Sequence, residues 1–199
     1  MTSPQPGRAY LRWHLAAFGG GNRMQCGNTG RMAAALALLA GLSGCVSAGR
    51  LPPARADAPA LDALAFFTGQ SRGEGTLKIA LRRPRAVTVA SGGRWGSDGG
   101  LILDQTVILA GQPAAQRQWQ LRRDGPGAVA GSLSDAAGPV TGRFEGNRLH
   151  LRFTMKGGLR ADQWLALLPG GQVLHNVMIV RKFGLPVARL DEVITRTEK

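Results

Sequence analysis

Several residues whose types could do chemistry fall near the C-terminal end of this 199-residue chain: Asp162, Trp164, His175, Asn176 and Lys182. Asp162 and His175 would make an acid–base pair if the fold brought one within hydrogen-bond reach of the other and burial tuned their pKa values. Ser132 and Ser134 are the nearest candidates for a nucleophile, but Ser132-Leu133-Ser134 lacks the Gly-x-Ser-x-Gly setting of a nucleophile elbow. No phosphate-binding loop or dinucleotide fingerprint is present, so the balance leans away from an enzyme. The other chemistry open to these residues is recognition. Asn176 sits in a segment, Val173–Lys182, that is apolar on both faces, so it is a polar group that needs partners. In an apolar barrel Asp162 and Asn176 would orient a ligand while Trp119 and Trp164 form its walls. The alternative is structural, with Asn176 tying two strands together, Asp162 capping a turn and the tryptophans in the core. His14, His150 and His175 have no cysteine cluster beside them, so no metal site and no cofactor are expected.

A third reactive group is Cys45. Arg31 precedes an apolar run over residues 32–42, which is short of the roughly 20 residues that cross a bilayer but long enough for a secretory core. The run ends in Leu42-Ser43-Gly44-Cys45, which resembles the lipobox of bacterial lipoprotein signal peptides. Small residues let a peptidase approach the backbone, and the Cys45 sulfur is the nucleophile that would carry a diacylglyceryl group. The resemblance implies removal of residues 1–44, lipid attachment at Cys45, and a membrane partner reached through that anchor. Val46, where an Asp would imply retention at the inner membrane, points to the periplasmic face of the outer membrane. Residues 1–23 have no coherent period, and the chain from Met24 has ordinary signal-peptide proportions, so Met24 is the expected start.

Charge narrows the partners further. Four of the 25 basic residues (Arg8, Arg12, Arg23 and Arg31) and none of the 12 acids precede Cys45, so the chain from Cys45 onward keeps 21 bases against 12 acids, a net +9. That suits anionic headgroups, or reflects arginine spread over solvated strand faces. No nucleic-acid recognition motif appears, and an exported chain would rarely meet nucleic acid. Cys26 precedes the expected cleavage, so no disulfide supports the domain and hydrophobic burial must hold it.

The elements that must position these groups follow from periodicity. Residues 45–60 carry Pro52, Pro53 and Pro59 and are expected as a semi-rigid tether. Residues 61–67 have helical spacing and should form a short helix capping a sheet. From Glu74 onward the period is two. Leu77, Ile79 and Leu81 alternate with polar residues, and so do Trp119 with Leu121, and Leu149, Leu151, Phe153 and Met155, which leaves His150 on the polar face. Turn signals are Ser91-Gly92-Gly93, Ser97-Asp98-Gly99-Gly100, Asp124-Gly125-Pro126-Gly127, Gly146-Asn147 and Pro169-Gly170-Gly171. Short strands joined by hairpins, with no helix long enough for a crossover, predict an all-β antiparallel meander over residues 61–199. About eight to ten strands would close into a barrel; a two-sheet sandwich is the alternative.

From Leu61 onward the motifs resemble a proteobacterial family of unknown function, the DUF3833 family, whose members are often lipoproteins. The resemblance rests on Phe66-Phe67, Gly69, Gly73, Trp119, Gly131, Asp135, Gly138, Gly142, Gly146-Asn147, Asp162-Gln163-Trp164, Asn176 and Lys182-Phe183-Gly184. It implies a barrel similar to the calycins, the group that includes lipocalins and fatty-acid-binding proteins, and a lipid context. Two departures stand out: Gln163 occupies a position where an acid is commoner, and Lys156-Gly157-Gly158 differs from the family's turn. The expectation is therefore a lipid-anchored envelope barrel that binds a fatty-acyl chain, a phospholipid or another apolar molecule. A ligand-free structural or interaction module at the membrane surface and a lipid-modifying enzyme are the alternatives; oligomeric state is left open.

Overall fold

The structure, a computed structural model, describes residue 46 and residues 49–197. The expected signal peptide over residues 1–44, the start at Met24 and the lipid attachment at Cys45 lie outside the described residues. Ten strands follow one another: β1(Gly69–Ile79), β2(Arg85–Trp95), β3(Leu101–Leu109), β4(Ala115–Arg123), β5(Ala128–Leu133), β6(Val140–Glu145), β7(Arg148–Met155), β8(Leu159–Leu167), β9(Val173–Lys182) and β10(Leu185–Thr197). Each pairs antiparallel with the next, and β1 also pairs with β10, so the meander closes into a barrel and the sandwich alternative falls away. Closure leaves no unpaired sheet edge among the described residues.

Four of the five turn signals join strands as expected; the fifth does not. Ser91-Gly92-Gly93 lies inside β2, paired with Ser71, Gln70 and Gly69 on one side and Gln105, Asp104 and Leu103 on the other. The glycine is needed for close approach instead: a Cβ on Gly93 would stand 1.8 Å from the Phe67 carbonyl oxygen. That carbonyl follows a single helical turn, α1(Ala63–Phe66), shorter than the seven residues expected. Asp62 caps it, accepting a hydrogen bond from the Ala65 N–H at 3.3 Å. Leu61, Leu64, Phe66 and Phe67 join Leu101, Leu121, Val129, Leu149, Leu167, Leu174 and Ile194 in one buried cluster. All the latter sit at the strand ends beside the turns over 96–100, 124–127, 146–147 and 168–172, so α1 stoppers that end of the barrel. The other end, the mouth, carries the turns over 80–84, 110–114, 134–139, 156–158 and 183–184.

The described part of the segment expected as a semi-rigid tether runs down the outer wall. Near the mouth, the Arg50 carbonyl accepts a hydrogen bond from Arg189 Nη2 at 3.0 Å. Lower down, the Arg55 N–H donates to Asn147 Oδ1 at 3.1 Å, and the Leu61 N–H reaches the Gly146 carbonyl at 3.0 Å. Pro52 is buried along this path while its neighbours Leu51 and Pro53 are exposed. Proline restricts the chain before it docks, which lowers the entropy lost on docking.

A polar belt inside the barrel as candidate functional site

Side chains alternate across each strand, so every second residue points into the barrel. Most of these are aliphatic or aromatic, but one run of seven adjacent strands contributes polar groups. Gln163 on β8 donates from Nε2 to Asn176 Oδ1 on β9 at 3.0 Å, and Asn176 Nδ2 donates to Glu192 Oε2 on β10 at 2.7 Å. Ser71 on β1 and Ser91 on β2 are register partners. Ser91 Oγ accepts from Gln105 Nε2 on β3 at 2.9 Å, and Gln105 Oε1 accepts from both Arg117 Nε at 2.8 Å and Trp119 Nε1 at 2.9 Å on β4. The belt divides the interior. On β2, β3, β9 and β10 the residues on its mouth side, Val87, Val89, Val107, Leu109, Met178 and Leu190, form a small apolar cluster of their own with Leu77. Leu101, Leu103, Leu174 and Ile194 on the other side belong to the large stoppered-end core.

The chain of hydrogen bonds breaks where the belt passes β1. Glu192 Oε1 and Ser71 Oγ are both buried without a partner among the described residues. Glu192 lies over Gly73, where a Cβ would stand 2.0 Å from Oε1, so glycine on β1 makes room for the carboxyl. Burial pushes the Glu192 carboxyl above its ordinary range, and the hydrogen bond from Asn176 and the charge of Arg117 offset this only in part. Burial likewise lowers the Arg117 guanidinium, against the opposing pull of Glu192 and Asp135. The interior thus holds a carboxyl and a guanidinium that sense each other's charge, with spare acceptor capacity between strands.

A pH dependence follows, and its sign is fixed by the direction of the Glu192 shift. An acid whose folded pKa is raised binds its proton more tightly in the barrel than in the unfolded chain, so the contribution of Glu192 to stability is highest at low pH. It falls as pH rises from the unfolded value of about 4.3 through the folded one. Glu192→Gln should remove this component, raising the melting temperature at pH 7 relative to wild type while changing it little at pH 4. Melting curves of the two proteins at both pH values check this.

Two of the four residues expected to line the interior do not. Asp162 and Trp164 point outward, because Ala161, Gln163 and Leu165 take the inward positions of β8. Asp162 accepts from Arg181 Nη1 at 2.6 Å and pairs with His150 Nε2 at 3.1 Å. Trp164 stacks on the His150 ring, centroids 3.7 Å apart and planes 6° from parallel. Trp119 and Asn176 do face the interior, Trp119 lying edge-on to Phe153 at 5.4 Å. The inward polar residue of β8 is Gln163, which the sequence marks only as a departure from the family. For Gln105, Arg117 and Glu192 the sequence carries no signal beyond a polar residue at an inward phase of β3, β4 or β10.

The acid–base pair of Asp162 with His175 does not form. His175 Nε2 pairs with Asp191 Oδ1 at 2.8 Å, and Arg189 Nη2 donates to Asp191 Oδ2 at 2.9 Å. Burial would raise Asp191, but His175 and Arg189 outweigh it and hold the carboxyl below its ordinary range. Ser134 Oγ accepts the Gln118 N–H at 3.1 Å, and Ser132 lines an outer-wall depression of about 180 Å³ with Gln120 and Ile102. His150 opens on a different outer depression, of about 330 Å³, with Arg143 and Arg152. No serine–histidine hydrogen bond occurs among the described residues, and no group of three or more His, Cys, Asp or Glu there could hold a metal ion.

Solved structures share this architecture. The S-type phycobiliprotein lyase CPES from Guillardia theta superposes with a TM-score of 0.57 at 7% identity, over 68% of this chain and 91% of that one. A protein of unknown function from the DUF3598 family of Nostoc punctiforme PCC 73102 gives a TM-score of 0.54 at 12% identity, over 74% of this chain and 53% of that one. At such identities the likeness is one of fold, a closed antiparallel barrel. No curated protein sequence matches the chain. The model of the family described as protein of unknown function (DUF3833) matches residues 39–196, most of the chain and every strand but the last residue of β10, and the protein belongs to that family.

Proposed function

We propose that the protein is a lipid-anchored envelope protein that takes an amphipathic, acyl-bearing molecule into its barrel, the polar end meeting the belt and the chain displacing the small mouth-side cluster. The observation that carries this is the break in the belt: Glu192 Oε1 and Ser71 Oγ are buried without partners, close to a desolvated guanidinium. Native proteins rarely leave buried polar atoms unsatisfied, since each costs about 1–3 kcal/mol, and a ligand's polar group is one way of satisfying them. Arg117 suits a carboxylate or phosphate, and a protonated Glu192 could donate to either. Trp119 and Asn176 take part through Gln105 and Glu192, while Asp162 and Trp164 belong to the outer wall. The anchor rests on the lipobox-like sequence ending in Cys45, and with it the placement at the periplasmic face of the outer membrane.

Mass spectrometry of the protein extracted from the envelope tests both parts. The denatured mass should correspond to a chain beginning at Cys45 with added acyl chains. The native mass should show a one-to-one lipid adduct, and Arg117→Met should weaken uptake of added palmitate by about tenfold or more. A chain without acyl mass removes the anchor; a native spectrum free of adducts, with no uptake of palmitate or lysophospholipid, removes the ligand.

A further inference from the structure

The mouth of the barrel carries apolar side chains that the interior core does not bury. Leu81 in the β1–β2 turn is 89% exposed, Phe183 in the β9–β10 turn is 94% exposed and Leu185 beside it is 70% exposed. These residues lie on adjacent hairpins, because β1 pairs with β10 and the Ala80 N–H donates to the Val187 carbonyl at 2.8 Å. Leu81 and Phe183 also have positive φ, +60° and +51°. The Phe183-Gly184 loop is a two-residue hairpin with positive φ at both positions, a setting that favours Asn-Gly. A bulky residue there adds backbone strain and exposes a whole ring to water, so the fold is better served by almost any small polar residue.

Charge surrounds these tips. Lys78, Arg82, Arg83 and Arg85 flank Leu81; Arg181 and Lys182 flank Phe183; Lys156 and Arg160 lie on the neighbouring β7–β8 hairpin. Within the five mouth turns themselves the charged residues are Arg82, Arg83, Lys156 and one acid, Asp135, while on the flanking strand ends Arg181 is held by Asp162. At the stoppered end acids and bases mix, with Asp62 bound to Arg123 and Glu145 to Arg148.

We propose that the mouth rim docks on an anionic lipid bilayer, Leu81, Phe183 and Leu185 entering the headgroup boundary and the basic side chains meeting phosphates. Apolar burial and attraction of basic residues to anionic lipid act together in such a contact. The course of the N-terminal segment agrees with it. Arg50 docks on Arg189, four residues from Leu185 on β10 and on the mouth side of the wall, and the segment then runs away from the mouth. Cys45 is five residues before Arg50, a reach of at most about 18 Å of extended chain, while four strand residues span about 13 Å. That reach would allow an acylated Cys45 to meet the same leaflet as the tips, although Val46 beside it is buried. That agreement rests on the proposed lipidation; the tip surface itself does not, and neither depends on what the barrel holds.

Flotation of the unacylated full-length Cys45→Ser chain with vesicles tests the surface, each variant being made in that background so that the N-terminal segment is constant. The parent should float with vesicles containing phosphatidylglycerol, much less with phosphatidylcholine alone, and should be released at about 1 M salt, where the Debye length is about 3 Å. Leu81→Asn/Phe183→Asn should lower binding about tenfold or more while leaving the melting temperature unchanged or higher, because Asn tolerates positive φ. A Phe183→Trp reporter, read as the difference from its parent, should shift its emission to the blue on anionic vesicles. Equal flotation of the double variant and its parent overturns the proposal, as does equal binding to neutral vesicles. An unmoved emission from the Phe183→Trp reporter with anionic vesicles also overturns it.

Discussion

Gly93→Ala should lower the melting temperature by about 10 °C or more, although it adds only one methyl group. The new Cβ would stand 1.8 Å from the backbone oxygen of Phe67 and 3.2 Å from Leu101 Cδ1. A side chain could swing aside, but a carbonyl can move only with its chain, and Phe67 is the residue that turns α1 into β1. Relief therefore means lifting Leu61, Leu64, Phe66 and Phe67 out of the stoppered end, at a cost of about 3–5 kcal/mol, the range in which core disruption falls. For a domain of this size each kcal/mol moves the midpoint by about 2–4 °C. Gly138→Ala is the control: its backbone φ is not positive, nothing lies within 4 Å of its added Cβ, and the melt should be unchanged. A Gly93→Ala protein that melts like wild type would mean that α1 does not sit against β2.

Asn176→Leu should cost about 3 kcal/mol, a drop of about 6–12 °C, although leucine has a similarly branched side chain and the strand around Asn176 is mostly apolar. Asn176 is the central link of the belt, and its removal leaves Gln163 Nε2 and Glu192 Oε2 without the partners they now have. Burial is nearly complete, so water cannot replace them cheaply. The triple change Gln163→Leu/Asn176→Leu/Glu192→Leu should regain part of the loss, since it replaces all three hydrogen-bonded members of this arm of the belt by apolar groups but leaves Arg117 without the countercharge of Glu192. That triple protein should also fail to retain lipid. Stability regained together with ligand retained would separate the belt from binding.

The belt explains why some strands are readable in the sequence and others are not. Strand β7 alternates without interruption, with Leu149, Leu151, Phe153 and Met155 inward, and is plain from its residues alone. In β10 the inward row is Ala188, Leu190, Glu192 and Ile194, and in β8 it is Ala161, Gln163, Leu165 and Leu167; a polar residue in mid-row breaks the period. In β5 and β6 the middle inward residue is glycine, Gly131 and Gly142, with the same result. The mistaken turn at Ser91-Gly92-Gly93 has a related cause, because glycine chosen for closeness reads the same as glycine chosen for bending. Asp162 and Trp164 stand out in the sequence as polar and aromatic residues near an apolar strand, without a phase to say which way they face.

The sequence by itself determined the class of fold, since period-two alternation and hairpin turns are local properties that each segment carries without reference to the others. It also determined that Asn176 must have partners, because its own strand is apolar on both faces. Only the tertiary structure decided who those partners are, that Glu192 and Arg117 share the interior, and that Asp162 belongs with His150 instead of His175. Those facts depend on the register with which ten strands close on themselves. A shift of one residue in any pairing would exchange inside for outside; hairpin turns set the register of successive strands, but closure of β1 on β10 is what brings residues distant in sequence together inside.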